Sequence, residues 1–227
     1  MGRWTAERWA ASSGILFAIL LVVSNFLAGT PPHYNASSDK IASFLAGHHS
    51  ALVVQGMLGG VMVVLWVWFL ASYAGMYREG GQGRLATIMY GAGVVGLALA
   101  AVGGCIMVAL VQLHATMSSS LVASFYGMSV YFYIKMLWAM AALAFASYLA
   151  NHRSHVFPEW YTWLSCLGGV CFVLGGLAIR SHGFLSPAGA MVWIAYGVFA
   201  VWVFVASWLC MQKHAVTHAV HRPAMSH

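Results

Sequence analysis

Charged side chains are confined to a few positions in this chain, and their distribution limits what it can fold into. Only 14 of its 227 residues are Lys, Arg, Asp or Glu. All of them lie at the ends of six apolar stretches or between them, except Lys135, which lies inside one. Charged residues make up 6% of the chain and hydrophobic residues 62%, whereas a soluble domain has about 25% charged residues. The pattern indicates an integral membrane protein.

Each apolar stretch can form a membrane-spanning helix, which needs about 20 mostly apolar residues. The predicted spans are 13–28, 51–76, 85–112, 122–149, 161–179 and 190–212. The sequence therefore predicts an all-α, polytopic membrane protein with six transmembrane helices in one bundle, forming a single domain. A short helix beginning near Ser37 or Ser38 is predicted to lie flat on the outer interface. Residues 213–227 are predicted to form a flexible cytoplasmic tail.

Lys and Arg are divided unequally between the two sides of this predicted bundle. If both termini are cytoplasmic, the inner side holds seven of them and the outer side holds only Lys40 and Arg180. Cytoplasmic loops carry such an excess of Lys and Arg. We therefore predict a multi-pass protein of the cell membrane with both termini in the cytoplasm. In this setting the net charge of +6 indicates contact with anionic lipid and not with nucleic acid.

Small residues recur at helical spacing within the predicted spans. The third span has Ala92, Gly96, Ala100 and Gly104 at four-residue intervals. Such stripes allow helices to approach closely in lipid, where apolar side chains have no solvent-driven preference for one another. The stripe predicts tight packing within the bundle, or alternatively a homo-oligomer formed through glycine-rich helix faces.

Lys135 has no acidic residue in any predicted span to pair with. Its neighbours on the same helix face are Met128, Tyr131, Phe132 and Trp138, and aromatic rings attract a cation over their faces. One interpretation is a lysine packed in the bundle or extended along the span toward an interface. The other is a ligand pocket formed by these four side chains, in which Lys135 binds an anionic or polar solute.

Histidines on the predicted outer side form a second candidate site. His49 directly precedes the second span and His114 follows the third, so antiparallel helices would place both at one membrane depth. His48 is adjacent, and His182 lies on the same side. Imidazole is the commonest metal ligand, and a haem takes one or two axial histidines. These residues are either ordinary interfacial histidines or ligands for haem b or another metal, with His49 as the central ligand.

The run from His49 to Met57 resembles a segment of the styrene oxide isomerase family. In that family His-Ser, four further residues and Asn-Gly-Met open a span, and this chain has His49-Ser50, four residues and Gln55-Gly56-Met57. The resemblance implies that His49 would ligate haem b, whose iron acts as a Lewis acid on an epoxide, and that Gln55 would be the pocket amide. It covers only nine residues, with Gln in place of Asn, and that family has four spans. The whole chain resembles six-span membrane proteins of actinobacteria, which implies no activity.

Three functional hypotheses follow. The first is a membrane enzyme, an isomerase by the resemblance above, that uses a haem or metal on a small hydrophobic ligand, with Gln55 and Lys135 as candidate catalytic residues. The second is a transporter or channel with its solute site at Lys135. The third is a non-catalytic subunit of a membrane complex. Soluble-type catalysis has no support, since no nucleophile elbow, P-loop or dinucleotide fingerprint is present.

Overall fold

The structure is a computed structural model that describes the backbone of residues 6–180 and 183–220 and the side chains of residues 8–180 and 183–213. Within these ranges the chain is almost wholly helical. The helices are α1 (Ala6–Leu27), α2 (Ser38–Gly47), α3 (His49–Glu79), α4 (Gly83–Leu113), α5 (Ser119–Ser154), α6 (Glu159–Gly176) and α7 (Ala190–Val220), with a 3-10 turn at His114–Thr116.

Consecutive long helices pack antiparallel, and α1 closes the ring by contacting both α3 and α7. The Ser13 hydroxyl donates to the Leu65 carbonyl at 3.0 Å, and the Ile15 N–H donates to the Ser207 hydroxyl at 3.0 Å. Hydrogen bonds between helices replace those that water would otherwise supply. We call the end where α3 begins and α4 ends the histidine end, and the opposite end, which carries Arg78 and Arg84, the arginine end.

Five of the described helical segments are long and apolar enough to cross a membrane. They are Arg8–Leu27, His49–Glu79, Gly83–Thr116, Ser119–Ser154 and Ala190–Lys213. This supports the predicted helical membrane protein. The sixth predicted span, 161–179, corresponds to α6 and is not confirmed, because α6 is shorter and begins with the polar, aromatic sequence Glu159-Trp160-Tyr161-Thr162. The orientation of the termini stays a prediction.

Helix α6 ends part of the way along α5. Its last residue, Gly176, accepts a 3.0 Å hydrogen bond at its carbonyl from the indole N–H of Trp138. A methyl group on Gly176 would lie 2.8 Å from that indole nitrogen, so only glycine permits the approach. From Trp138, α5 continues toward the histidine end for about 28 Å at 1.5 Å per residue. No further turn of α6 covers this part of α5.

Two predictions about shorter segments, the interfacial helix and the C-terminal tail, can be compared with the structure. The predicted short helix exists as α2, which buries Ile41 and Leu45. Helix α7 continues to Val220, through the first part of the segment 213–227 that was predicted as a flexible tail. Residues 214–220 contain no proline or glycine to end the helix. Residues 221–227 lie outside the described part of the chain.

The small-residue stripe of α4 packs within the bundle. Gly96 is buried, and a methyl group there would overlap the terminal methyl of Met140 on α5. At Gly103 an added methyl would lie 3.1 Å from the Ser129 carbonyl oxygen. Close packing of α4 on α5, as the stripe predicts, is therefore present. The homo-oligomer stays a prediction.

Buried apolar residues form two separate clusters. The arginine-end core is large and aromatic, and includes Trp66, Phe69, Tyr73 and Trp202. The histidine-end core is smaller; its buried members are Ala28, Ile41, Leu45, Leu52, Leu110, Val111, Val122 and Tyr126. Protein interiors are normally packed continuously. Between Leu52 of the histidine-end core and Trp66 of the arginine-end core, α3 has no buried residue.

Candidate functional site

Gly59 lies on α3 midway between two buried residues of the same helix face, Leu52 and Trp66. Residues seven apart share a helix face, and on this face Leu52, Trp66 and Tyr73 are 6%, 2% and 0% exposed. Leu52 belongs to the histidine-end core and Trp66 to the arginine-end core. Gly59 therefore lies between the residues that α3 contributes to the two cores.

The structure leaves open space beside Gly59. Apart from its chain neighbours and the local backbone of α3, no heavy atom of the described residues lies within 4 Å of the position that a Cβ on Gly59 would take. Other glycines of the bundle contrast with this: a Cβ on Gly56 would lie 2.6 Å from a methyl of Val108, and one on Gly93 would lie 2.5 Å from Leu70. Gly59 itself is partly accessible. We refer to this volume as the interior space at Gly59.

Gln55 supplies a polar group one turn from Gly59. Its side-chain nitrogen donates to the carbonyl of Ser24 on α1 at 3.1 Å. Among the described residues none donates to its side-chain oxygen, which can accept hydrogen bonds. Because Gln55 is four residues from Gly59, the two lie on neighbouring parts of one helix face. The space thus has one oriented acceptor on an otherwise apolar helix face.

The histidine-end core covers the interior space toward the end of the bundle. Ile41 and Leu45 of α2 pack there against Leu52. The Tyr126 hydroxyl donates to the Pro32 carbonyl at 2.7 Å, which ties the segment before α2 to α5. Helix α2 and the segment before it therefore cover the histidine end of the bundle.

The predicted ligand His49 does not share the face of Gln55. The two residues are six positions apart on one continuous helix, which places them about 120° apart around its axis. His49 is exposed. The structure therefore does not bring the two residues of the isomerase-like run together.

His48 and His114 each have one ring nitrogen bound to a local carbonyl. Nδ1 of His48 lies 3.0 Å from the Phe44 oxygen, and Nδ1 of His114 lies 3.1 Å from the Val111 oxygen. If these nitrogens donate, the Nε2 atoms are left as acceptors or ligands. Within the described ranges no three His, Cys, Asp or Glu side chains are grouped to hold a metal ion. His182 lies outside those ranges.

Lys135 lies on the outer surface of the bundle. It is exposed, and on the same face of α5 Met128 and Trp138 are 41% and 42% exposed. Tyr131 and Phe132 are partly exposed, and Tyr131 contacts the ring of Tyr34 at a centroid distance of 5.9 Å. These five α5 residues share a surface and do not enclose an interior cavity. Lys135 and Gln55 therefore belong to different places in the molecule.

The chain matches no protein-family model, no curated protein and no solved structure. We therefore infer the function of this protein from the geometry described above. Gly59 was not predicted from the sequence, although one signal for it is present there: among Leu52, Trp66 and Tyr73, which share its helix face, Gly59 has no side chain. The amide of Gln55 was predicted as a pocket group, and the structure places it beside the interior space.

Proposed function

We propose that this integral membrane protein binds a small, mainly apolar molecule with one hydrogen-bond donor in the interior space at Gly59. The observation that carries the proposal is the open space at the Cβ position of Gly59, where apart from its chain neighbours and the local backbone of α3 no heavy atom of the described residues lies within 4 Å, at a point between the two cores. Empty apolar cavities in proteins accept small apolar molecules. The ligand would reach the site from the bilayer, where such molecules concentrate.

The Gln55 side-chain oxygen gives this site its selectivity. A ligand that leaves lipid for a protein interior gains little from the hydrophobic effect, because both surroundings are apolar. Close contact and a hydrogen bond must then supply the binding energy. A buried acceptor favours a molecule that donates to it over an analogue of the same shape that cannot. Phenol should therefore bind better than toluene.

The test compares two leucine substitutions at adjacent glycines. Gly59→Leu would fill the interior space, whereas Gly60→Leu adds the same side chain on the exposed side of α3, where there is also no atom within 4 Å. Phenol should raise the unfolding temperature of the wild-type protein and of Gly60→Leu, and have no effect on Gly59→Leu. Equal shifts in all three proteins would refute the proposal.

A haem or metal site at the histidine end is the second candidate. The supporting observation is that Nδ1 of both His48 and His114 lies within hydrogen-bond distance of a backbone carbonyl. Metal-bound histidines almost always donate their other ring nitrogen to a carbonyl, carboxylate or water. A haem iron or metal held here would supply Lewis-acid chemistry on a substrate oxygen, as an isomerase of the predicted kind requires.

This second candidate is tested by an absorption spectrum and metal analysis of protein purified from membranes. A Soret band that weakens in His48→Ala or His114→Ala, and is unchanged in His152→Ala at the arginine end, would support it. Since the resemblance assigns the ligand role to His49, His49→Ala distinguishes the two arrangements. Protein expressed with added haem and metal that shows neither would remove the candidate.

A further inference from the structure

A stripe of exposed side chains runs along α5, with Lys135 at its centre. Its members follow one another at intervals of seven residues, and each is exposed: Leu121, Met128, Lys135, Ala142 and Leu149. A seven-residue repeat keeps side chains on nearly one face of a helix over its whole length. We call these five residues the α5 stripe. The other described helices leave it open.

Lys135 lies deep in the predicted membrane span. The segment Ser119–Ser154 is long and apolar enough to cross a membrane. Lys135 is about 24 Å from the first residue of this segment and about 28 Å from the last, at 1.5 Å per residue. The hydrocarbon core of a bilayer is about 30 Å thick, and the phosphates of the lipid headgroups lie outside it. Lys135 therefore needs a partner within the hydrocarbon core.

This chain has no carboxylate side chain at that depth. Its acidic residues all lie at or near the ends of helices: Glu7, Asp39, Glu79 and Glu159. Among the described residues none forms a hydrogen bond or ion pair with the Lys135 side chain. A second copy of the chain would bring another lysine to the same depth, and no acid. An anion for Lys135 must therefore come from a different molecule.

The shape of the surface around Lys135 favours a helix as the source of that anion. Inside a bilayer a polypeptide must satisfy its own backbone hydrogen bonds, which a helix does. A seven-residue repeat suits a helix that crosses α5 at about 20°, because the contact can then continue along the stripe. Ala142, one repeat from Lys135, is small enough for a close approach. A free solute is normally held in an enclosed pocket, whereas Lys135 lies on an open surface.

We propose that the α5 stripe docks a transmembrane helix of a different membrane protein, and that an Asp or Glu in the middle of that helix pairs with Lys135. Charge complementarity identifies the occupant, because charged side chains within membrane spans pair with one another. A hydrogen bond between an ammonium and a carboxylate is among the stronger kinds. The docking surface is separate from the interior space at Gly59 and does not depend on a ligand there.

The test measures binding of a synthetic membrane helix to the full chain in phosphatidylcholine vesicles. The probe is a helix of about 24 residues, mostly Leu and Ala, with one Glu at its middle. Energy transfer between dyes on the probe and on the N-terminus of the protein reports binding. The Glu helix should bind about tenfold more tightly than the same helix with Leu, the effect of one hydrogen bond between charged groups.

Substitutions at Lys135 show whether its charge is responsible. Lys135→Leu should remove the preference for the Glu helix, and Lys135→Arg should keep it. Since Lys135 is exposed on an apolar surface, leucine there should leave the fold intact, and circular dichroism checks this. Lys40→Leu removes an exposed lysine of the short helix α2 and should change nothing.

A bulky side chain on the α5 stripe tests the docking surface independently of charge. Ala142→Trp should weaken binding of the Glu helix by obstructing its approach, although Lys135 is still present. Ala71→Trp makes the same change at an exposed position of α3 and should have no effect.

Four outcomes would overturn the proposal. Two of them are equal binding of the Glu and Leu helices to the wild-type protein, and unchanged binding of the Glu helix to Lys135→Leu or to Ala142→Trp. Displacement of the Glu helix by oleate at equal concentration would identify a free carboxylate ligand instead. Energy transfer between two copies of the protein that is lost in Lys135→Leu would identify a second copy as the occupant.

Discussion

The side-chain nitrogen of Gln55 donates a 3.1 Å hydrogen bond to the carbonyl oxygen of Ser24. This bond joins α3 to the last turns of α1 and fixes the direction of the Gln55 oxygen. Ser24 is buried, and its hydroxyl donates to the Leu21 carbonyl at 3.1 Å. The same amide therefore stabilises the helix pair and orients the acceptor of the interior space.

We predict that the Gln55→Leu variant discriminates less between phenol and toluene as ligands than the wild-type protein does. The substitution removes the acceptor, so the stabilisation by phenol should fall to that of toluene. Loss of the bond to Ser24 should also lower the free energy of unfolding by about 0.5–1.5 kcal/mol. Thermal unfolding with each compound measures both effects. Gln112→Leu, at an exposed position on α4, is the control, and an unchanged preference for phenol in Gln55→Leu would contradict the prediction.

Substitution of alanine for Gly59 and for Gly14 should have opposite effects on stability. Gly59→Ala adds a methyl group to open space and improves helix propensity, so we expect stabilisation of about 1 kcal/mol. Gly14→Ala would place a methyl 2.5 Å from Cδ2 of the Phe69 ring and 2.9 Å from Ser207 Cβ. Such overpacking should cost about 1–3 kcal/mol. Unfolding of both variants in the same detergent measures the sign of each change in stability. Destabilisation by Gly59→Ala would show that the space is occupied.

The buried indole of Trp202 and the hydroxyl of Ser165 should be energetically coupled. The indole N–H donates to the hydroxyl at 3.0 Å, and both residues are fully buried. Ser165→Ala leaves a buried donor unsatisfied, which should cost about 1–3 kcal/mol. Once Trp202→Phe has removed the donor, the same serine change should cost less. A double-mutant cycle measures this coupling energy, which we expect to be about 0.6 kcal/mol, the average for hydrogen bonds in membrane proteins. If the stability changes of the two single variants add up to that of the double variant, the bond contributes nothing.

Asn151 should be among the polar side chains least tolerant of substitution. It is buried, and its Nδ2 donates to the Phe157 carbonyl at 3.1 Å and to the Thr162 hydroxyl at 2.6 Å. Its Oδ1 accepts from the Phe157 N–H at 2.7 Å. We expect Asn151→Ala to lower stability by about 2–4 kcal/mol, the sum of three such bonds. Asn25→Ala removes one exposed bond and should cost much less; a comparable loss in both would contradict this assignment.

The helix pattern could be predicted from the sequence because long apolar stretches bounded by charges leave few alternatives in a membrane. All six predicted stretches are helices, and the short helix near Ser38 is present. What the sequence could not supply is how far α6 extends beside α5. That limit depends on the contact between Trp138 and Gly176, which are far apart in the chain. Helical spacing showed which residues share a face with Lys135, but not whether another helix covers that face.

For the candidate site, too, some features could be predicted from the sequence and others depend on how the helices pack. Gln55 was singled out through its local sequence, whereas the open space at Gly59 depends on how other helices pack against α3, which the sequence does not show. His49 and Gln55 are close in sequence, yet the helix turns them apart. Proximity in sequence therefore does not show that two residues of a helix face the same way.

The dependence of α6 on its neighbours also has a consequence for biosynthesis. Its first turn is polar, its Thr162 hydroxyl is bonded by Asn151 of α5, and its Ser165 hydroxyl accepts from Trp202 of α7. Helix α7 is translated last, so a nascent chain that stops short of it leaves Ser165 without this partner in an apolar environment. A chain truncated before Ala190 would therefore keep the bond from Asn151 to Thr162 but lose the one that Trp202 donates to α6.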